Sequence, residues 1–214
     1  MRLELIRLTL GPLPNNVYLL GDHASGDAVV VDPSFEGQVV LDRAAALGWT
    51  PRAIWLTHGH FDHLAGAGEI AGAFNPALPV GLHPGDRAWY AQEGGAGQFG
   101  MTIPPLPEVA LTFEDGMALG LRADAQTVAE VRHAPGHSAG HVMFYVESLN
   151  TLLCGDVIFR QGIGRTDLAG GDQSTLLESI RTQVFSLPDE TRLLPGHGPE
   201  TTVGFEKAHN PFLK

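Results

Sequence analysis

Four strand-like runs in this 214-residue chain stop at a histidine or an aspartate. Ala53–Thr57 runs into His58-Gly59-His60, and the stretch near 126–132 leads to His137. Leu152–Gly155 ends at Asp156, and Arg192–Leu194 meets Pro195-Gly196-His197. Apolar runs of this length must be covered by other elements, whereas imidazoles and carboxylates at their ends belong on loops held by a rigid scaffold. A chain with this pattern has to deliver several buried strands to one common edge.

The remaining periodicity fits that requirement. Leu3–Leu10 alternates, Val17–Leu20 follows a turn at Pro14-Asn15-Asn16, and Ala28–Val31 is a short β-branched run closed by Asp32-Pro33. Val39, Val40 and Leu47, with alanines between, predict a helix closed by Gly48 at its C′ position. A helix of small apolar residues is expected over 64–74, a strand at Val80–Leu82 and a helix from Pro84 to Gln92. The second half predicts strands near 109–113, 117–122, 126–132, 141–147 and 150–154, a helix from Ser174 to Phe185, and a last strand at Arg192–Leu194. Strands first and helices after, twice over, suggest two sheets face to face with helices outside, in one domain spanning 1–214. The stretch Glu93–Pro107, rich in Gly and then Pro, is the candidate for a mobile flap.

Composition narrows the function classes. With 27 glycines and 15 prolines, about a fifth of the chain is turn-forming, against a typical eighth, so many short elements joined by shaped loops are expected. A formal net charge of −11 lacks the basic footprint of a nucleic-acid binder. One cysteine, Cys154, forbids an internal disulfide and fits a reducing compartment. Glu4 and Arg7 interrupt what a signal peptide would keep apolar, and no run approaches the ~20 residues of a membrane span. A cytoplasmic protein acting on a small molecule, with neither membrane nor nucleic acid as partner, is the expectation.

His58-x-His60-x-Asp62-His63 is the main chemical signal. All four are metal-ligand types on a turn between a buried strand and a helix. In extended chain His58 and His60 point the same way, and the turn into the helix lets Asp62 and His63 face a different ion. Together with Pro135-Gly136-His137-Ser138-Ala139-Gly140-His141, Cys154-Gly155-Asp156 and Pro195-Gly196-His197-Gly198, this segment resembles the metallo-β-lactamase superfamily. Gly164-Arg165-Thr166-Asp167 and the tail from Glu206 to Phe212 further resemble glyoxalase II-type thioesterases, the hydroxyacylglutathione hydrolases.

The resemblance implies a four-layer αββα sandwich of two mixed β-sheets with outer helices, and two divalent metal ions. His58, His60 and His137 would hold the first ion, Asp62, His63 and His197 the second, and Asp156 would bridge them. Zinc is the expected metal, with iron or manganese as alternatives. The implied reaction is hydrolysis of a thioester such as S-lactoylglutathione by a metal-bridging hydroxide, with Asp62 and Asp156 catalytic and Arg165 contacting the substrate. Neighbouring activities fit less well. Electron-transferring diiron relatives carry Glu in the place of His60, some β-lactamases carry Cys in the place of Asp156, and lactone-opening relatives use a Tyr that is missing between Asp156 and His197. The chief alternative is a mononuclear iron persulfide dioxygenase using His58, His137 and Asp156. Full-length glyoxalase II proteins hold glutathione through an extra C-terminal helical domain, which is not expected here, so loops would grip the substrate.

Overall fold

The strands that read as continuous apolar runs are buried on both faces. A computed structural model describes residues 1–214. Strands β1 (Leu3–Leu10), β2 (Asn15–Asp22), β3 (Asp27–Val31), β4 (Thr50–Trp55), β5 (Val80–Leu82) and β6 (Val109–Thr112) form one sheet in that order. The first three pair antiparallel and the last three join parallel. Parallel pairing requires a crossover, supplied between β3 and β4 by helix α1 (Gly37–Ala46). Val40 and Ala44, one turn apart, face the sheet, and Gly48 leaves the helix at φ 72°, as its C′ place predicts.

The second sheet holds β7 (Ala118–Gly120), β8 (Thr127–His133), β9 (Val142–Val146), β10 (Thr151–Gly155), β13 (Arg192–Pro195) and β14 (Thr201–Thr202). Between β10 and β13 lie a hairpin of β11 (Ile158–Phe159) and β12 (Gly162–Ile163) and a crossover helix, so β13 runs parallel to β10.

Two-residue alternation sorts the side chains into layers. Val29, Val31, Trp55, Phe113, Phe144 and Leu153 fill the space between the sheets. Val30, Ile54 and Leu56 face the other way, onto α1 and a helix α3 (Ala67–Gly72) that follows the single turn α2 (Phe61–Leu64). On the far side Met143, Leu152 and Leu193 meet Leu176, Ile180 and Val203 from α5 (Gln173–Ser179), its wider last turn, and α6 (Val203–His209). Helix, sheet, sheet, helix: the four-layer αββα sandwich is present. No helix is long and apolar enough to cross a membrane.

Several expectations need correction. The helix expected over 64–74 is shorter, α3 at Ala67–Gly72, set off from the separate turn α2 before it. Asn15 and Asn16, read as a turn, open β2 and are buried. The tail beyond His197 carries β14 and α6, which periodicity did not show. Apart from these, residues 93–107 follow α4 (Arg87–Ala91), with Gly94, Gly95, Ala96 and Ile103 buried, Phe99 exposed and the Tyr90 hydroxyl donating to the Pro107 carbonyl at 2.6 Å.

Candidate metal centre

All seven side chains singled out in the sequence meet at one end of the two sheets. His58 and His60 occupy the loop after β4, and Asp62 and His63 the single turn α2. His137 comes from the β8–β9 loop, Asp156 follows β10 and His197 follows β13. The parallel pairing of β10 with β13, extended by the Gly196 N–H donating to the Gly155 carbonyl (2.8 Å), sets Asp156 beside His197. Two cross-sheet bonds fix this end: Val142 N–H to the Thr57 carbonyl and Asn16 N–H to the Gly196 carbonyl, both 2.7 Å. Gly196 is required by close approach, since a Cβ there would stand 2.3 Å from Asp156 Oδ1.

The donor atoms of the predicted ligands form two groups, and a third, of Asp32 with His58 and His63, overlaps both. Those of His58, His60 and His137 lie within 4.8 Å of one another, as do those of Asp62, His63 and His197. Asp156 stands between the groups, Oδ1 at 3.5 Å from His63 Nε2 and Oδ2 at 3.6 and 3.8 Å from Nε2 of His197 and His137.

Hydrogen bonds on the far side of each ring decide which nitrogen faces inward. His63 Nδ1 donates to Asp32 Oδ2 (3.1 Å), His137 Nδ1 to the Arg165 carbonyl (2.8 Å) and His197 Nδ1 to the Leu13 carbonyl (2.9 Å). The Thr57 hydroxyl donates to Asp32 (2.7 Å), so its oxygen is free to accept from His58 Nδ1 (2.9 Å). These bonds hold a proton on the outer nitrogen and aim Nε2 inward, the arrangement a metal ligand needs. His60 differs, turning Nδ1 toward His137 Nε2 at 3.0 Å while its ring packs edge-on against Trp89.

The inward atoms are short of partners. Nε2 of His58 and His63 and Oδ1 of Asp156 are buried and make no hydrogen bond. Stranding a buried polar atom costs about 1–3 kcal/mol, and three at one point constitute a cradle that cations would satisfy. The donor set of imidazoles and carboxylates fits divalent metals.

Electrostatics agree. Burial pushes His58 well below the ordinary imidazole range and His60 down to about 3, with the neighbouring histidines adding to the effect. Burial acts the same way on His63 and His197, but the carboxylates around them win and raise both. For Asp62 and Asp156 burial would raise the carboxyl, yet His63 and the other imidazoles hold both well below the usual range. Both carboxylates are therefore ionised at neutral pH.

Other residues meet here without having been predicted to. Asn15 donates to Asp62 Oδ2 at 2.9 Å. Buried Asp86 accepts from Gly59 N–H (2.9 Å), the Ser138 hydroxyl (2.6 Å) and Gly140 N–H (2.6 Å), binding the His58 loop to the His137 loop. Asp32 accepts from the Thr57 N–H and hydroxyl, both at 2.7 Å, and also orients His63. His141 is fully buried, stacks on His58 and accepts from Asp156 N–H at 3.0 Å, whereas His133 stacks on half-buried His83 away from the centre. Arg165 is exposed at the rim, and Cys154 is a buried core residue.

Residues 10–197 match the model of the metallo-beta-lactamase superfamily. The chain belongs to that superfamily. It is similar to a probable metallo-hydrolase, YqgX, of Bacillus subtilis, at 38% identity over 97% of this chain and 96% of that one. The hydroxyacylglutathione hydrolase GloC of Haemophilus influenzae is 33% identical over 100% and 98%. Among solved structures of the same fold, TTHA1623 in a di-iron-bound form superposes with a TM-score of 0.86 at 40% identity, covering 97% of this chain and 100% of that one. The BLEG-1 B3 metallo-beta-lactamase reaches 0.90 at 36%, covering 99% and 100%.

Proposed function

We propose that this hydrolase cleaves acyl thioesters, S-lactoylglutathione or a related acylated thiol, with two metal ions and with residues 1–214 acting as one catalytic unit. One observation carries the reading: two donor trios share a carboxylate at the floor of a pocket of about 370 Å³ whose other walls are mostly apolar. His58, His60 and His137 would hold one ion, Asp62, His63 and His197 the other, with Asp156 serving both. Imidazole and carboxylate donors suit zinc, iron and manganese. Bound there, divalent ions supply Lewis acidity and a water whose pKa is lowered toward ~7.

The chain's own groups do the rest. Asp62, ionised and fixed by the Asn15 amide, orients the attacking water; held well below the usual carboxylate range, it is too weak a base to keep the proton, which passes to solvent. Water oxygen bonds to the acyl carbon, the carbon–sulfur bond breaks, and the sulfur leaves as a thiolate that takes a proton from solvent. A thiol of pKa ≈ 8.5 departs without a general acid, whereas an amide nitrogen must be protonated to leave. Apart from the ligand residues, the pocket is walled by Leu13, Phe61, Gly94, Phe99, Leu168 and Arg165, none of them a proton donor at neutral pH. This lining favours the thioester, and the similarity to GloC supports it.

The test is activity of the metal-loaded protein on a panel of acyl-glutathiones, acyl-coenzyme A, lactones, β-lactams and glutathione persulfide. Thioester cleavage with free thiol as product is expected. A β-lactam preference would contradict it, and oxygen uptake with the persulfide would transfer the chain to the dioxygenase reading, which leaves Asp62, His63 and His197 without a task.

A further inference from the structure

A second recess reaches the same centre. It is a more open groove of about 370 Å³, bordered by Phe159, Arg160 and Pro199, and it shares Asp156, Arg165 and His197 with the apolar pocket. The two recesses therefore meet over the carboxylate placed at the reacting point, and their walls differ in kind.

Two guanidinium groups line the groove, and only one is free. Arg165 is gripped by both oxygens of Asp167 at 2.7 Å, so its charge is largely compensated. Arg160 has no such carboxylate partner; it lies over the ring of Phe205, 5.0 Å from the centroid. In a chain of net charge −11, an uncompensated cation beside the site needs a purpose.

The support beneath Arg160 is built from buried polar groups. Arg160 stands at the tip of the β11–β12 hairpin, and α6 holds that tip. Glu206, fully buried, accepts from the Gln161 N–H (2.9 Å), the Thr201 hydroxyl (2.5 Å) and the Asn210 amide (2.8 Å). The Asn210 amide also donates to the Gly162 carbonyl at 3.0 Å. A buried carboxylate is costly unless fully hydrogen-bonded, and here its bonds fix the residues after Arg160 while Phe205 of the same helix lies under the guanidinium. The tail motif Glu206 to Asn210 thus serves the hairpin.

We infer that this groove seats the thiol half of the substrate, with Arg160 pairing to an anionic group of the thiol carrier, carboxylate or phosphate, while the acyl half enters the apolar pocket. This rests on the thioester reading above and adds the residue that selects the carrier. Glu206 and Asn210 act as positioning residues for Arg160.

The experiment compares metal-loaded wild type, Arg160→Ala, Arg160→Lys and Glu206→Gln on three substrates: S-lactoylglutathione, an acyl-coenzyme A and a neutral N-acetylcysteamine thioester. Binding of S-methylglutathione and of coenzyme A, neither of which can be cleaved as a thioester, is titrated in parallel. For Arg160→Ala, KM on at least one anionic substrate should rise about threefold to tenfold with kcat nearly kept, the mark of lost uniform binding. The neutral thioester should be unaffected, and Arg160→Lys should recover part of the loss. Glu206→Gln should follow the same pattern with metal content unchanged. Whichever anionic substrate responds more identifies the group as carboxylate or phosphate. Equal changes on all three substrates, or none, would overturn the inference. If wild type cleaved no thioester, the hydrolase reading would fall instead; weaker binding of S-methylglutathione or coenzyme A by Arg160→Ala would still support the groove, and unchanged binding of both would overturn it.

Discussion

At the scale of single residues, Asp156 and His63 concentrate the electrostatics. Asp156→Asn keeps the shape but removes the negative charge that two neighbouring cations would require, so metal content should fall to about one ion per chain or fewer, and activity with it. Elemental analysis of the purified variant checks this; full loading would return Asp156 to a bystander. Protons compete for the same site. In the metal-free fold the carboxylates, overcoming burial, raise His63 and His197 above 6.5, so these protons stabilise that fold at low pH and are lost as pH rises through the raised values. A cation must displace them, so metal affinity should climb with pH across that window and binding should release protons, measurable by calorimetry in buffers of different ionisation enthalpy. Asp32, which orients His63 and Thr57, should cost about 10–100-fold in metal affinity when changed to alanine. The cluster of seven side chains was legible, because an HxHxDH run and histidines beside glycine break the local apolar pattern. Asn15, Asp86 and the free state of Arg160 were not, since each is an ordinary polar residue whose partners lie tens of positions away.

At the scale of elements, the loops matter more than the strands. Asp86 belongs to a short turn between β5 and α4, yet its three hydrogen bonds join the loops that carry His58 and His137. Asp86→Ala leaves three buried donors unsatisfied, and a loss of about 2–4 kcal/mol in denaturant unfolding is expected, together with weaker metal binding. Unchanged stability would mean that the loops are held by packing alone. The long apolar strands and α1 were readable from period and capping, as at Val39–Gly48. The hairpin β11–β12 and strand β14 were not, because two-residue strands carry no period, and they exist only through partners such as Glu206 and Thr201. Helix α6, seven residues long, shows too little of a 3.6-residue repeat to be read alone.

At the scale of the whole molecule, ions in the cradle would tie both sheets together, since their ligands hang from β4 in one sheet and from β8, β10 and β13 in the other. A ligand held at a hundred times its dissociation constant adds about 2.7 kcal/mol, worth roughly 5–10 °C in Tm for a chain of this size. Chelation should lower Tm by at least that much, and zinc, iron or manganese should restore it; a Tm indifferent to chelator would separate stability from the centre. The two facing sheets were predictable because strands come first and helices after in each half, and the family resemblance implied the four layers. The second recess was not, because a groove is a property of surfaces that no single segment contains. The most direct test of the account is a count of metal per chain in the purified wild-type protein at saturation. Two divalent ions per chain is the result expected, and a stoichiometry of one or none would contradict the two-trio cradle.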